Sequence, residues 1–255
     1  MQKVDWNAAY YKNNSQIQET GALTVLKSHQ FRGDEVILDL GCGDGKITKE
    51  IAAFLPASRV VGVDPSSNMI QEARKDFSHL KNVDWVQASG ENFNFEFSFD
   101  FIFSSFAVQY IEDKLKAFKN IYNSLKPGGE FIFLVPDRGI GGIGVILAKE
   151  PWQSMISPAQ FERIRITTPA FYQKVILEAG FEVTSIDYNV ACYVYKNKEE
   201  LFRSMYAWVP VFTGFPNDDD NRRFASEIVD LYAQGAEEHI TVDLPYICVR
   251  AIRLG

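Results

Sequence analysis

Cysteine and histidine are both scarce in this 255-residue chain, with three of each. Cys42, Cys192 and Cys248 lie far apart and form no CxxC pair. That spacing suggests neither a zinc site nor a disulfide framework, so buried free thiols in a reducing compartment are expected. No apolar run reaches the ~20 residues a membrane span needs, and the polar, aromatic opening over residues 1–14 does not have the make-up of a signal peptide. A soluble, cytoplasmic protein without a membrane partner is expected. Runs of lysine and arginine are missing too, and the formal net charge is −7. Nucleic-acid binders concentrate basic surface to displace counterions from phosphates, so no nucleic-acid partner is expected. Internal repeats and low-complexity tracts are absent.

What remains is ordinary globular material, 46% hydrophobic and 23% charged, enough to bury a full core without metals or cross-links. Short apolar runs alternate with helical patterns. Strands are expected at 35–40 (EVILDL), 59–64 (RVVGVD), 83–87, 99–104 (FDFIFS) and 130–135. Between them, Ile47, Ile51 and Leu55 recur at helical spacing, as do Met69, Ile70 and Ala73, and Leu115, Phe118, Ile121 and Leu125. Pro127-Gly128-Gly129 reads as the stop of that third helix. Strands apolar on both faces and alternating with helices predict an α/β fold: a mostly parallel sheet with helices on both faces. Ligands of such sheets sit at the carboxyl ends of the strands, near the switch point. Further on, a helix over 168–179 is expected, capped by Thr167 or Thr168 with Pro169 in its first turn. Strand-rich sequence over 181–194 and a closing strand over 244–252 flank helical sequence at 198–208 and 220–233. The simplest division is N-terminal lid helices over 1–30, a core over 31–196 and 239–255, and a helical insertion over 197–238 that contributes to a substrate pocket.

The densest motif is Asp39-Leu-Gly-Cys-Gly-Asp-Gly45, placed between a strand and a helix. Gly41, Gly43 and Gly45 permit a tight turn and close approach of backbone to a ligand. The spacing is GxGxG with Lys46 next, not the GxGxxG of a dinucleotide fold. A pyrophosphate at a helix N-terminus would disfavour nearby acids, yet Asp39 and Asp44 stand in this loop. Acids suit a ligand carrying an ammonium and a sulfonium and no phosphate, which describes S-adenosylmethionine. Asp64 ends the second strand about twenty residues on, where a carboxylate accepts ribose hydroxyls; capping the next helix is the alternative. Met69 either covers an adenine ring or packs in the core. Ser89, Gly90 and Glu91 follow the third strand, where an adenine amino group would be read.

Taken together, LDLGCGDGK, VVGVD, FDFIFSSFAVQY and LKPGGEFIF resemble successive motifs of the class I S-adenosylmethionine-dependent methyltransferases over residues 35–135. The resemblance implies a Rossmann-like, seven-stranded sheet with a helical cap. It also implies cofactor contacts from Asp39, Gly41, Gly43 and Asp64, with Ser104 beside the methionine part. Many members carry Asp where Ser89 stands, so adenine recognition there is expected to be weaker or to use backbone. The segment Ser105-Phe-Ala-Val-Gln109-Tyr110 is similar to the trans-aconitate, malonyl-carrier-protein and juvenile hormone acid methyltransferases. So are Trp6, Tyr10 or Tyr11, and the stretch 201–215 with Trp208. All of these esterify carboxylates.

The residues point the same way. Methylating a hydroxyl calls for a base, often histidine, and His29, His79 and His239 all lie outside 90–238. A carboxylate is already ionised, so orienting it in line with the sulfonium methyl suffices. Gln109, Trp208 and Arg138 are the candidates on the acceptor side, with Arg163 and Arg165 as other possible anion anchors. Tyr206, Trp208 and Phe212 serve either as substrate contacts or as packing. Trp6 to Gln18 reads as a lid over the cofactor, with Tyr11 a contact, or as a docked helix. The NPPY type of motif that holds a DNA amino group is absent, and Glu112-Asp113 reads as a helix start, not a metal site. The expected function is methyl transfer from S-adenosylmethionine to a small-molecule or carrier-bound carboxylate by in-line displacement. N- or C-methylation, cofactor binding without catalysis, and a nicotinamide oxidoreductase are the competing readings.

Overall fold

The structure, a computed structural model, describes residues 6–137, 142–157 and 168–255. Seven strands form one sheet in the order β3-β2-β1-β4-β5-β7-β6. They are β1 (Val36–Leu40), β2 (Arg59–Asp64), β3 (Val83–Gln87), β4 (Phe99–Ser105), β5 (Leu125–Pro136), β6 (Glu182–Asn197) and β7 (Glu238–Ile252). The first five run parallel, and β7 lies antiparallel to both β5 and β6. The runs that are apolar on both faces are the inner strands, as double coverage requires. One core cluster packs helices Gln16–Ser28 and Lys46–Phe54 and the C-terminal helices on one face. The other packs helices Lys114–Ser124 and Pro169–Glu178 on the opposite face. The chain steps outward from β1 through β2 to β3 and then returns to β4. The ends of β1 and β4 therefore open a crevice at the switch point.

Capping chemistry fixes the helices that frame this crevice. Ser66 accepts the Met69 N–H and caps helix Ser67–Asp76. Asp113 accepts from the Lys116 N–H, 2.9 Å away, at the start of helix Lys114–Ser124. Thr168 accepts from the Phe171 N–H, 3.2 Å away, with Pro169 in the first turn of its helix.

Two expected boundaries move. β5 begins at Leu125, directly after helix Lys114–Ser124, because Leu125 already pairs with Phe99. Pro127-Gly128-Gly129 lies inside that strand, where the register shifts. The closing strand begins at Glu238, not Leu244, because β6 and β7 stay paired from Glu182↔Ile252 to Asn197↔Glu238. β5 reaches only to Pro136↔Tyr246. The last part of β6 and β7 is thus a two-stranded ribbon that projects past the carboxyl end of the sheet. Helices Lys198–Tyr206, Val209–Thr213 and Asp218–Ala233 hang from its tip. Among the described residues no helix is long and apolar enough to cross a membrane.

Candidate active site

The turn after β1 is built on left-handed backbone at Gly41 (φ +77°), Gly43 (φ +55°) and Gly45 (φ +87°). The N–H groups of Gly41 and Cys42 both donate to Val63 O, at 2.7 and 3.0 Å, which ties the turn to β2. The glycines have different jobs. A Cβ on Gly41 would lie 2.2 Å from the Ala107 Cβ, so that glycine admits the chain leaving β4. A Cβ on Gly43 would meet nothing nearer than Met69 Sδ at 4.0 Å. Gly43 therefore faces open space, a cleft of about 840 Å³ including its mouth.

That cleft brings together Tyr11, Gly41, Gly43, Asp64, Met69, Ser89, Gly90 and Glu91. Asp64 does not cap the following helix, a place Ser66 takes. Its carboxylate instead accepts the N–H of Gly43 at 3.0 Å and of Ser66 at 2.8 Å. Ser89 donates its hydroxyl to Asn92 Oδ1, 3.1 Å away. Ser104 departs from the expectation. It is fully buried, and its hydroxyl donates to Leu40 O at 2.7 Å, joining β4 to β1. Side chains alternate along a strand, so the next residue, Ser105, faces the cleft.

Asp39 lines a smaller adjoining recess with Tyr11, Gln18, Gly43, Asp44 and Lys46. Burial, reinforced by the like charge of Asp64, pushes the Asp39 carboxyl up to about 7, although the Thr48 hydroxyl donates to it at 2.6 Å. Burial also raises the Asp44 carboxyl, opposed by Lys46, whose Nζ stands 3.9 Å away. Asp44 Oδ2 is buried without a hydrogen-bond partner. Two costly buried acids beside an open turn call for a cationic ligand. Lys46 is already engaged, donating to Lys12 O and, at 3.0 Å, to Ser15 Oγ. The residues thus fit a ligand with an ammonium, a sulfonium and a ribose, and fit a pyrophosphate poorly.

The N-terminal segment closes the near side. Lys12 pairs with Glu72 at 3.4 Å and with Asp76, both on helix Ser67–Asp76. Tyr10 meets the edge of Tyr206 in the cap, with ring centres 5.6 Å apart. Trp6 packs edge-on against Tyr11 at 5.1 Å and Tyr110 at 5.6 Å. Tyr11 is raised by burial and by Asp44 nearby, which keeps its phenol a neutral donor.

A second cavity, about 1000 Å³ including its mouth, opens on the other side of Trp6, Tyr11, Phe106 and Tyr110, which line both spaces. Its walls are apolar: Ile17, Ile143, Leu147, Met205, Trp208, Phe212, Val242 and Leu244 among them. Trp208 and Gln109 both lie on it. Gln109 donates Nε2 to Phe106 O at 2.6 Å, and its Oε1 is buried without a partner. Tyr206 is not on this wall. Arg138, Arg163 and Arg165 lie outside the described residues, and no lysine, arginine or histidine is found among the described residues of the lining.

Sequence reasoning quoted Ser105, Phe106 and Tyr110 only within a resembling segment and Gln18 only as the end of the lid, without a role for any of them, and it did not single out Asp137. Gln18 borders both the second cavity and the Asp39 recess, and its Oε1 is buried without a partner. Only the phase of helix Gln16–Ser28 reveals that direction.

Comparison with known proteins fits this geometry. Residues 37–129 match the model of a methyltransferase domain family. The chain is 30% identical over 179 residues to a trans-aconitate 2-methyltransferase of Shigella dysenteriae, covering 70% of this chain and 69% of that one. It is 26% identical over 212 residues to a putative methyltransferase, 235L, of Invertebrate iridescent virus 6, covering 80% and 77%. Two solved structures share the fold. The YcgJ protein of Bacillus subtilis aligns at TM-score 0.64 and 19% identity, covering 93% of this chain and 99% of that one. A phosphoethanolamine N-methyltransferase of Haemonchus contortus, solved with S-adenosylmethionine, aligns at TM-score 0.64 and 20% identity, covering 98% and 58%.

Proposed function

The chain belongs to the class I S-adenosylmethionine-dependent methyltransferases, and from that premise we propose that it methylates a carboxylate oxygen on an acid with an apolar body. The cofactor is S-adenosylmethionine. In this reading Asp64 accepts from its ribose hydroxyls, Asp39 and Asp44 neutralise its ammonium, Met69 covers its adenine, and Ser89, Gly90 and Glu91 border that ring. Bound there, the cofactor supplies a methyl group on a positive sulfur; when a carboxylate oxygen takes it, the sulfur keeps the electron pair of the broken C–S bond.

The observation that carries the proposal is the chemistry of the acceptor cavity. Its polar lining includes two carboxamides, Gln18 and Gln109, and the neutral phenol of Tyr11, which also borders the cofactor cleft. His239 is not on the lining, and no described lining residue is a histidine or lysine that would deprotonate a hydroxyl. A carboxylate is ionised at neutral pH and needs no base. The chain's task is then to orient that oxygen and keep water out, with Trp6, Tyr11 and Tyr110 closing the passage.

Apolar walls further along the cavity suit a hydrocarbon or aromatic body. Burying a second or third carboxylate against them would cost several kcal/mol each. The Shigella relative is named for trans-aconitate, which has three carboxylates; the favoured acid here has one. Asp137 on the same lining supports a second reading, an amine acceptor drawn by its charge. Supplying S-adenosylmethionine with monocarboxylic, tricarboxylic and amine acceptors and following S-adenosylhomocysteine tests both. Turnover with apolar monocarboxylates is expected; turnover confined to amines would overturn the carboxylate reading.

A further inference from the structure

We infer that the Phe106 ring is the partition that sets how an acceptor approaches the cofactor's methyl, and that Gly21, behind it, is the residue that sets the ring's position. The inference rests on the two-cavity reading above. Phe106 has φ +52°. Left-handed backbone is rare for a bulky residue without an Asx-type side chain, and it persists only where the surroundings impose it. Here they do. The Phe106 N–H donates to Leu134 O at 2.9 Å, which holds the end of β4 on β5. Its carbonyl accepts from Gln109 Nε2 at 2.6 Å. Its ring is nearly buried and meets Tyr246 edge-on at 5.8 Å.

That conformation has two consequences. The carbonyl holds the Gln109 carboxamide by its nitrogen, which leaves Oε1 unpartnered. The ring becomes common wall to the cofactor cleft and the acceptor cavity. Behind the ring stands Gly21 of helix Gln16–Ser28. A Cβ there would come within 3.3 Å of one ring carbon and 3.4 Å of another. Either the ring or the helix must give by a few tenths of an ångström. A glycine inside a helix is otherwise a cost, and the space it leaves is the space the ring occupies. The pair therefore fixes the width of the passage.

Three variants test this: Gly21→Ala, Phe106→Leu and the double variant. Misplacing reactants by 1 Å costs about 100-fold in rate, so the smaller displacement in Gly21→Ala is expected to cut kcat/KM for the acceptor about tenfold, most for the bulkiest acids. Cofactor affinity by calorimetry is expected to stay within about twofold, a split that loss of fold would not give. Melting temperature is expected to hold or rise, since alanine favours the helix. Phe106→Leu gives the added methyl room and is expected to restore most of the loss in the double variant. A crystal structure of Gly21→Ala with S-adenosylhomocysteine reads the same displacement without turnover. An unmoved ring, or an equal loss in single and double variants, would overturn the inference. If the wild-type protein methylates only amines, the carboxylate reading fails, and the same variants assayed on those amines still decide the partition.

Discussion

The turn after β1 yields a prediction that separates binding from folding within three residues. Gly43→Ala places a methyl group in the open cleft, with only Met69 Sδ at 4.0 Å. The protein keeps its contacts and pays only for alanine at φ +55°, about 1–2 kcal/mol. For a chain of this size that lowers the melting temperature by roughly 2–8 °C. The same methyl occupies space assigned to the cofactor, so Kd for S-adenosylmethionine is expected to rise at least about 100-fold, or about 2.7 kcal/mol. Gly41→Ala behaves differently. Its Cβ would stand 2.2 Å from the Ala107 Cβ, well inside the ~3.5–4.0 Å of normal carbon contact. The turn or residues 106–107 must shift by roughly 1.3–1.8 Å to reach that distance, and overpacking of that kind costs about 1–3 kcal/mol beyond the left-handed backbone. Adding Ala107→Gly relieves that clash and is expected to recover part of the stability lost by Gly41→Ala, with no effect on Gly43→Ala. Calorimetry for Kd and thermal unfolding for stability, on all four variants, decide it. Wild-type affinity in Gly43→Ala, or Gly41→Ala as stable as Gly43→Ala, would refute the assignment of the turn.

Asp64→Ala removes the acceptor for the Gly43 and Ser66 N–H groups as well as the proposed ribose contact, and Kd is expected to rise about 100-fold or more on the usual worth of charged hydrogen bonds; unchanged affinity removes the ribose role. Asp39 is raised to about 7 by burial, so in the free protein its neutral form is favoured and this group's contribution to stability falls as pH rises from its unfolded value through about 7. Pairing with the cofactor's ammonium requires the ionised form, so cofactor binding near neutral pH is expected to release a proton and to weaken as pH falls below about 7. Calorimetry in buffers of different ionisation enthalpy reads that proton, and Asp39→Asn is expected to abolish it; the same proton release in Asp39→Asn would refute the pairing. Gln109→Ala and Gln18→Ala are each expected to lower turnover about 10-fold while leaving cofactor Kd within about twofold; weakened cofactor binding with turnover intact would move them to the cofactor side.

The inner strands were legible because EVILDL, RVVGVD and FDFIFS are apolar on both faces, and only a doubly covered sheet buries such runs. The glycine turn and Asp64 were legible because their separation of about twenty residues is the length of one helix and one strand. Finer assignments turned on neighbours that no local pattern reports. Ser104 and Ser105 differ by one residue, and one step along a strand exchanges its faces. Gly41 and Gly43 look alike in sequence, and only the position of Ala107 tells them apart. The start of β5 hid behind Pro127-Gly128-Gly129, which reads as a stop until Leu125 is seen paired with Phe99. The left-handed backbone at Phe106 carried no cue, since phenylalanine is a poor choice for that conformation. Gln18 needed the phase of its helix against two cavities.

The most direct test of the central claim is the fate of the transferred methyl. The protein is incubated with methyl-labelled S-adenosylmethionine and an apolar monocarboxylic acid, and the product is treated with alkali. Methyl esters hydrolyse there, so the account predicts label released as volatile methanol, in proportion to S-adenosylhomocysteine formed. Label retained in an alkali-stable product would contradict it and assign the same fold to methylation of nitrogen, carbon or a hydroxyl.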